Sequence, residues 1–168
     1  MSTTTGAPPG TLRILIVDDE TIVRDSLAAW FRQDGHKVDV AEGGKEALHL
    51  LGAGRYDMAF LDIKMPGMDG LELQERLAAA DPELSIVLMT AYASVDTAVK
   101  AMKNGAYDYI VKPFDPDDLS MLVKRAAEHR SLRAENIRLK KSLETAAAPP
   151  PLLGSSPAMR HVLELVET

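Results

Sequence analysis

The chain has 168 residues, 46% of them hydrophobic, which is enough for one packed domain with an appendage. With 25 acidic and 19 basic residues and a formal net charge of −6, direct nucleic-acid binding by this chain is not expected. The absence of cysteine excludes disulfides and thiol catalysis. There is no long apolar run and no signal-peptide pattern, so we expect a cytoplasmic protein without membrane association.

Residues 1–10 are small and polar and are interrupted by proline and glycine, which predicts a flexible tail. Beyond them, short apolar stretches alternate with stretches of helical periodicity, which indicates strands alternating with helices. Ser94 is suited to cap a helix N-terminus, and Gly35 and Gly105 are placed to end helices. The predicted strands are 12–17, 37–41, 57–61, 86–89 and 107–111, and the predicted helices are 21–34, 44–51, 71–80, 95–104 and a long last helix from about 116.

Single helices between successive strands predict right-handed βαβ crossovers and a parallel sheet. For five such units, the expected fold class is α/β with the flavodoxin-like strand order 2-1-3-4-5. The helical periodicity also predicts which side chains face the sheet. These are Ile22, Val23, Leu27, Trp30 and Phe31 on the first helix, and Val95, Val99 and Met102 on the fourth.

Residue types suited to phosphoryl chemistry follow four of the predicted strands. They are Asp18 and Asp19 after the first strand, Asp62 after the third, Thr90 after the fourth and Lys112 after the fifth. Ligands bind outside the carboxyl ends of the strands in an open α/β sheet, so these side chains should share one crevice. Carboxylates are ligands that Mg²⁺ prefers, and an aspartate can attack phosphorus to form an acyl phosphate. Asp62 is the best-placed nucleophile, with Lys112 offsetting phosphoryl charge and Thr90 donating a hydrogen bond.

Four short motifs in this order resemble the receiver domain of bacterial two-component response regulators. They are Asp18-Asp19-Glu20, the run DIKMPGMDG from Asp62 to Gly70, Thr90-Ala91 and Lys112-Pro113-Phe114. The resemblance covers residues 12 to about 125 without a gap. It implies a receiver domain over 11–125 that takes a phosphoryl group from a sensor histidine kinase with the help of Mg²⁺. Such a domain is a signalling module rather than an enzyme, apart from its own phosphorylation and dephosphorylation.

The resemblance also implies a role for each site residue. Asp62 would be the phospho-acceptor, and Lys112 would contact the phosphoryl group. Thr90 would be the switch hydroxyl, and Tyr109 the switch aromatic residue. The implied metal ligands are Asp18, acting through metal-bound water, Asp19, Asp62 and the backbone carbonyl of Lys64. In this family, the peptide bond that corresponds to Lys112–Pro113 is normally cis.

The last predicted helix has no breaker before Ala148 and is longer than packing on such a sheet requires. Residues 126–144 can form a linker helix of a parallel coiled coil, with a homodimer contact through 122–143. A single core asparagine, Asn136, is typical of two-stranded coils. The a positions are Leu122, His129, Asn136 and Leu143, and the d positions are Arg125, Leu132 and Leu139. The alternative is an exposed helix with charge pairs within one chain.

Residues 145–151 are rich in alanine and proline and are predicted to form a linker. Residues 152–168 resemble the start of the central AAA+ ATPase domain of sigma-54-dependent transcription activators, with Ser156 as a helix cap. No Walker A motif follows, and the sequence ends within this helix at Thr168. We therefore expect a regulatory part of a longer activator, whose downstream partners would be the AAA+ domain and sigma-54 RNA polymerase.

The sequence is also compatible with two other functions. A Mg²⁺-dependent phosphatase of the haloacid dehalogenase type also uses an aspartyl nucleophile, but it places an Asp-x-Asp pair after its first strand. Here Asp62 follows the third predicted strand, Lys64 occupies the second acidic position, and no cap domain is predicted. The other alternative is a binding module that acts by docking alone and would not accept a phosphoryl group.

Overall fold

The computed structural model describes residues 10–147. In that range five strands alternate with five helices, and the strands form one parallel sheet in the order β2-β1-β3-β4-β5. The predicted α/β fold with strand order 2-1-3-4-5 is therefore confirmed. The elements are β1 Arg13–Val17, α1 Thr21–Gln33, β2 Lys37–Ala41, α2 Gly44–Ala53, β3 Met58–Asp62, α3 Gly70–Ala80, β4 Ser85–Thr90, α4 Val95–Lys103, β5 Asp108–Val111 and α5 Pro116–Ala147.

The sheet is covered by helices on both faces, and alternate side chains of each strand enter two separate cores. On β1, Ile14 packs with residues of α1 and α5, whereas Leu15 packs with residues of α2, α3 and α4. In the first of these cores, Phe31 of α1 stacks on Phe60 of β3 with ring centroids 5.0 Å apart. Burial on both faces is the reason that the strands are continuous apolar runs in the sequence.

Local signals in the sequence set the ends of several helices. Gly35 and Gly105 follow the C-caps of α1 and α4 and have φ angles of 90° and 88°, which residues with a side chain rarely adopt. The Ser94 hydroxyl caps α4 by accepting a hydrogen bond from the backbone N–H of Thr97. The observed bounds of the strands and helices lie within about two residues of the predicted ones.

The prediction of which face of α4 is buried is wrong. Val95, Val99 and Met102 were predicted to point inward but are 79%, 44% and 50% exposed. The buried residue of this helix is Ala101, on a different face. Because the alanine side chain is small, it lets the helix backbone lie close to the sheet, and the larger apolar side chains remain at the surface.

The prediction for α1 is only partly confirmed. Leu27 and Phe31 are buried in the core as expected, whereas Ile22 is 80% exposed. Ile22 lies in the first turn of α1, and the buried residues of this helix, Leu27, Ala28 and Phe31, all lie farther along it. Trp30 is 36% exposed, and its indole N–H donates to the hydroxyl of Ser120 on α5 at 3.3 Å.

The first compact unit of the chain ends at Ser131, and a second begins at Leu132. The division lies within α5, which has no break in its helical structure. The buried residues of α5 are Leu119, Leu122, Val123 and Ala126. The first unit therefore includes residues 126–131, which the sequence assigned to the linker helix.

Two predictions for the last helix need correction. Leu122 was assigned to the dimer seam at 122–143, but it is buried in the first unit and cannot contact a second chain. Residues 145–147 are helical, so the predicted linker at 145–151 does not begin at 145. The remainder of that linker, the predicted AAA+ start at 152–168 and residues 1–9 of the predicted tail lie outside the described residues. Between residues 10 and 147, no helix is both long and apolar enough to span a lipid bilayer.

Candidate functional site

The carboxyl ends of four strands meet at one edge of the sheet. Asp18 directly follows β1, Asp62 and Thr90 are the last residues of β3 and β4, and Lys112 directly follows β5. These strands are parallel, and β1, β3, β4 and β5 are successive neighbours. All four chemistry-bearing residues therefore lie along the same edge, as the sequence predicted.

An acidic cluster occupies this edge. Asp18, Asp19 and Asp62 each offer a carboxylate oxygen, and these oxygens lie within 4.8 Å of one another. Asp18 and Asp62 are only 0% and 5% exposed, whereas Asp19 is exposed. Three carboxylates at this spacing repel one another, and oxygen donors suit a hard divalent cation. The arrangement can hold such a cation.

Lys112 is the cation in contact with this cluster. Its Nζ lies 2.6 Å from Oδ2 of Asp18 and 3.3 Å from Oδ1 of Asp62. Glu20 is farther away, with its Oε1 at 3.8 Å. Burial by itself lowers the pKa of Lys112, but the hydrogen bond to Asp18 and the two carboxylate charges raise it overall. The ammonium is therefore charged and links the two buried carboxylates. The bond from Lys112 to Pro113 is cis, as the family resemblance implied.

The pKa of Asp62 is raised to about 6. Burial is the largest cause, and the negative charge of Asp18 is the next, with a smaller contribution from Asp19. Lys112 lowers the pKa through its charge and its hydrogen bond, but does not cancel the other effects. A cation bound to the cluster would favour the ionised form of Asp62, which is the nucleophilic form.

The acidic loop after β1 is held by contacts that sequence reasoning missed. The guanidinium of Arg24 donates to the backbone carbonyl of Asp18 at 2.7 Å, and the backbone N–H of Glu20 donates to Oδ1 of Asp18 at 2.9 Å. A second guanidinium nitrogen of Arg24 donates to the hydroxyl of Thr21 at 3.1 Å. In the sequence, Arg24 looks like any charged residue in the first turns of a helix. Its contact depends on how α1 begins against β1.

Thr90 lies at the edge, but its hydroxyl is bonded within its own loop. The hydroxyl donates to the carbonyl of Tyr92 at 3.2 Å and accepts from the backbone N–H of Tyr92 at 3.1 Å. Lys64 follows Asp62 by two residues, and its ammonium lies 4.1 Å from the centroid of the Tyr92 ring. This cation–π contact joins the loops after β3 and β4. The side chains of Thr90 and Lys64 are therefore both engaged with Tyr92.

Tyr109 lies on β5 and is half-buried. Its ring packs against the buried cluster that contains Leu88 and Ala101. Its hydroxyl is buried and has no hydrogen-bond partner within residues 10–147. The hydroxyl of the predicted switch residue therefore already lies inside the protein.

The loop after β3 returns so closely that only glycine fits where α3 begins. A Cβ atom added to Gly70 would clash with the carbonyl oxygen of Asp62 and would lie 2.8 Å from Cα of Ile63. Gly67 in the same loop has a φ of 81°, which glycine adopts without a steric penalty. These two glycines let the chain turn directly behind the Asp62 carboxylate.

Comparisons with known proteins give the family. Residues 14–124 match the family described as "Response regulator receiver domain". The chain is 41% identical over 150 residues to the regulatory protein AtoC of Escherichia coli strain K12, which covers 89% of this chain and 32% of AtoC. It is 35% identical over 154 residues to the C4-dicarboxylate transport transcriptional regulatory protein DctD of Rhizobium meliloti strain 1021, covering 92% of this chain and 34% of DctD. The chain thus spans about a third of the length of these relatives.

Solved structures have the same fold. The crystal structure of NtrX from Brucella abortus aligns with a TM-score of 0.72 at 33% identity, covering 94% of this chain and 34% of NtrX. A CheY-like receiver domain protein from Methanospirillum hungatei JF-1 aligns with a TM-score of 0.71 at 33% identity, covering 73% of this chain and 98% of that protein. Nothing in these comparisons supports the haloacid dehalogenase alternative. With its strand-end residues and its match over residues 14–124, the chain belongs to the response regulator receiver domain family.

Proposed function

We propose that Asp62 accepts a phosphoryl group from a phosphohistidine of a sensor histidine kinase, and that the chain is a phosphorylation-controlled signalling domain. The observation that carries this proposal is the contact of Lys112 with two buried carboxylates, Asp18 and Asp62, where the strands end. In the transfer, an Asp62 carboxylate oxygen forms a bond to phosphorus while the bond from phosphorus to the imidazole nitrogen breaks. The nitrogen keeps the electron pair, and the product is an aspartyl phosphate.

The residues at this edge fit Mg²⁺ as the cofactor. The carboxylate oxygens lie within 4.8 Å of one another, and Mg²⁺ binds through oxygen ligands and retains several waters. Asp19, Asp62 and the backbone carbonyl of Lys64 would hold the ion directly, and Asp18 would act through metal-bound water. When bound, the ion would offset the negative charge of the carboxylates and of the phosphoryl oxygens.

Three other side chains would contact the phosphoryl group or respond to it. The ammonium of Lys112 would bind a phosphoryl oxygen and offset its charge. The hydroxyl of Thr90 would leave the carbonyl of Tyr92 and donate to another phosphoryl oxygen, which draws its loop toward Asp62. Tyr109 would then repack. This population shift would change the surface formed by α4 and β5, because the phosphoryl group binds one of the two packings better.

Intact-mass measurement after incubation with Mg²⁺ and acetyl phosphate tests the acceptor. We expect one labile phosphoryl adduct on the parent chain and none on Asp62→Asn. Asp25→Asn removes the same charge from the exposed face of α1 and should keep the adduct. Asp19→Asn should weaken Mg²⁺ binding, because one ligand loses its charge. An adduct that persists on Asp62→Asn would exclude Asp62 as the sole acceptor.

The longer protein would be a sigma-54-dependent transcription activator. The match to DctD covers 154 residues and therefore extends beyond the receiver match at 14–124. DctD is named as a transcriptional regulatory protein and AtoC as a regulatory protein. Residues 152–168 resemble the start of an AAA+ domain. In that protein, phosphorylation of the receiver would control the downstream AAA+ domain and its action on sigma-54 RNA polymerase.

The part of α5 in the second unit would form a parallel homodimer. Leu132, Leu139 and Leu143 are 66%, 52% and 69% exposed, and their spacing places them on one stripe with Asn136. The seam is shorter than 122–143, because Leu122 is buried in the first unit. Burial of each leucine contributes roughly 1.5–3 kcal/mol before entropy costs. Three leucines per chain support a weak dimer.

Analytical ultracentrifugation of the whole chain tests this dimer. Leu139→Lys should shift the chain toward monomer, because it places a charge in the apolar stripe. Ala134→Lys adds the same charge at an exposed position outside the stripe and should leave the association unchanged. If the parent chain is monomeric at concentrations on the order of tens of micromolar, with and without beryllofluoride, the segment is not a dimerisation element.

A further inference from the structure

Two buried polar atoms lack a partner in the part of the chain that the structure describes. They are Oε1 of Gln74 and the hydroxyl of Tyr109. Gln74 lies on α3 and is 0% exposed, in a helix where Leu73 and Leu77 are also buried. A leucine at position 74 would fill the same core without desolvating a carboxamide. The buried glutamine is therefore a feature that packing alone does not explain.

The carboxamide nitrogen of Gln74 forms a hydrogen bond to α4. Its Nε2 donates to the backbone carbonyl of Ala101 at 3.0 Å. The same carbonyl accepts the backbone N–H of Ala106 at 3.0 Å, so it would be satisfied without Gln74. Ala101 is the one buried residue of α4, and the nearby contact between Asn104 and Glu75, at 3.0 Å, is a second polar link to α3. A helix that buries so little apolar area depends on such links for its position.

Tyr109 brings a complementary group into the same core. Its ring packs with the cluster that contains Ala101, Leu73 and Leu77. A phenol hydroxyl can donate a hydrogen bond, whereas a carboxamide oxygen acts only as an acceptor. When an unsatisfied donor and an unsatisfied acceptor form a hydrogen bond, the desolvation penalty of both groups is offset.

We propose that, in the phosphorylated state, the Tyr109 hydroxyl donates to Oε1 of Gln74, and that this bond latches α4 in its shifted position. The inference rests on the proposed function, because the shift starts when a phosphoryl group on Asp62 attracts the Thr90 hydroxyl. The loop that begins at Thr90 leads directly into α4, so movement of the loop displaces the helix. The carboxamide keeps its bond to Ala101 throughout. The shifted state then has no unsatisfied atom at this point, which biases the equilibrium toward it.

A double-mutant cycle on the binding of beryllofluoride with Mg²⁺ tests the latch. Gln74→Leu removes the acceptor and keeps a buried side chain of similar size, and Tyr109→Phe removes only the donor. Each substitution should weaken beryllofluoride binding about five-fold, which is the effect of one hydrogen bond of ordinary net strength. The double variant should bind no more weakly than either single variant. Without beryllofluoride, the effects of the two substitutions on stability should add.

Asn104→Ala is the matched control, because it removes the neighbouring link between α3 and α4 and leaves Gln74 intact. Its effect should add to that of Tyr109→Phe in both states. If the effects of Gln74→Leu and Tyr109→Phe on beryllofluoride binding are also additive, the latch is wrong. Gln74→Met, which likewise removes the acceptor, replaces Gln74→Leu if that variant does not fold.

A spectroscopic measurement distinguishes the latch from a merely structural role of Gln74. The Tyr109 hydroxyl proton should become protected from exchange and visible by NMR in the beryllofluoride-bound parent chain, and not in Gln74→Leu. A failure of the proposed function gives a different result, since beryllofluoride would then not bind the parent chain or would bind Asp62→Asn equally well. That result overturns the latch together with the phosphoryl site.

Discussion

Replacing Asp62 with asparagine should stabilise the chain at neutral pH in the absence of Mg²⁺, although it removes the proposed acceptor. The pKa of Asp62 is about 6 in the folded protein, against an ordinary value of 3.8. The folded state therefore holds the proton more tightly than the unfolded state does. The resulting stability is fully present below about pH 3.8 and is lost as the pH rises through about 6. Asparagine carries no charge to desolvate and avoids this loss.

The size of the effect follows from the two pKa values. The difference of about two units, from 3.8 to about 6, corresponds to roughly 3 kcal/mol. Solvent screening reduces this to about 1–2 kcal/mol in favour of Asp62→Asn near pH 7.5. Near pH 4.5 the advantage should shrink to roughly a third, because the folded parent chain then holds Asp62 almost fully protonated, and taking up that proton costs little so close to the ordinary pKa. Added Mg²⁺ should narrow the difference at the higher pH, because a bound cation stabilises the folded parent more than it stabilises Asp62→Asn, which has lost one carboxylate ligand.

Urea unfolding followed by circular dichroism, in EDTA over this pH range, measures the difference directly. Asp25→Asn, which removes an exposed carboxylate from α1, should show no comparable pH-dependent gain. If the parent chain is the more stable protein near pH 7.5 without Mg²⁺, or if the difference does not change with pH, the electrostatic account of the site is wrong.

Three further predictions concern other parts of the molecule. Burial lowers the pKa of His36 from 6.5, so the free energy of unfolding should fall as the pH drops below that value. Urea titrations should show a smaller loss of stability for His36→Asn than for the parent chain. His49→Asn, at an exposed site, should lose as much stability as the parent chain. Gly70→Ala forces a clash behind β3 and should lower the free energy of unfolding by on the order of 2 kcal/mol, measured by thermal unfolding. The added methyl group of Gly52→Ala in α2 meets no atom within 4 Å. That control should raise the free energy of unfolding by about 0.5–1 kcal/mol. Lys112→Met should slow phosphorylation by acetyl phosphate at least about ten-fold in intact-mass time courses, because the phosphoryl charge loses its cation.

The sequence by itself determined the fold and the composition of the site. Its apolar runs are short and separated by single helical stretches, and this pattern is satisfied by a parallel sheet covered on both faces. The residues suited to phosphoryl chemistry lie at strand ends, so the strand order was enough to predict that Asp18, Asp62 and Lys112 lie close together. The capping of α4 by Ser94 can also be predicted from the sequence, because the capping hydrogen bond lies within one helical turn.

Only the tertiary structure decided which helix faces are buried and which distant polar groups meet. Periodicity shows that a helix has an apolar face, but not which layer covers it. Val99 of α4 is consequently exposed and Leu122 of α5 is buried, the reverse of the faces assigned to them from the sequence. The bond from Gln74 to the carbonyl of Ala101 and the bond from Arg24 to the loop after β1 are likewise not encoded in any local motif. Such contacts arise when whole helices pack across the sheet, and the position of each helix depends on all the side chains in both layers.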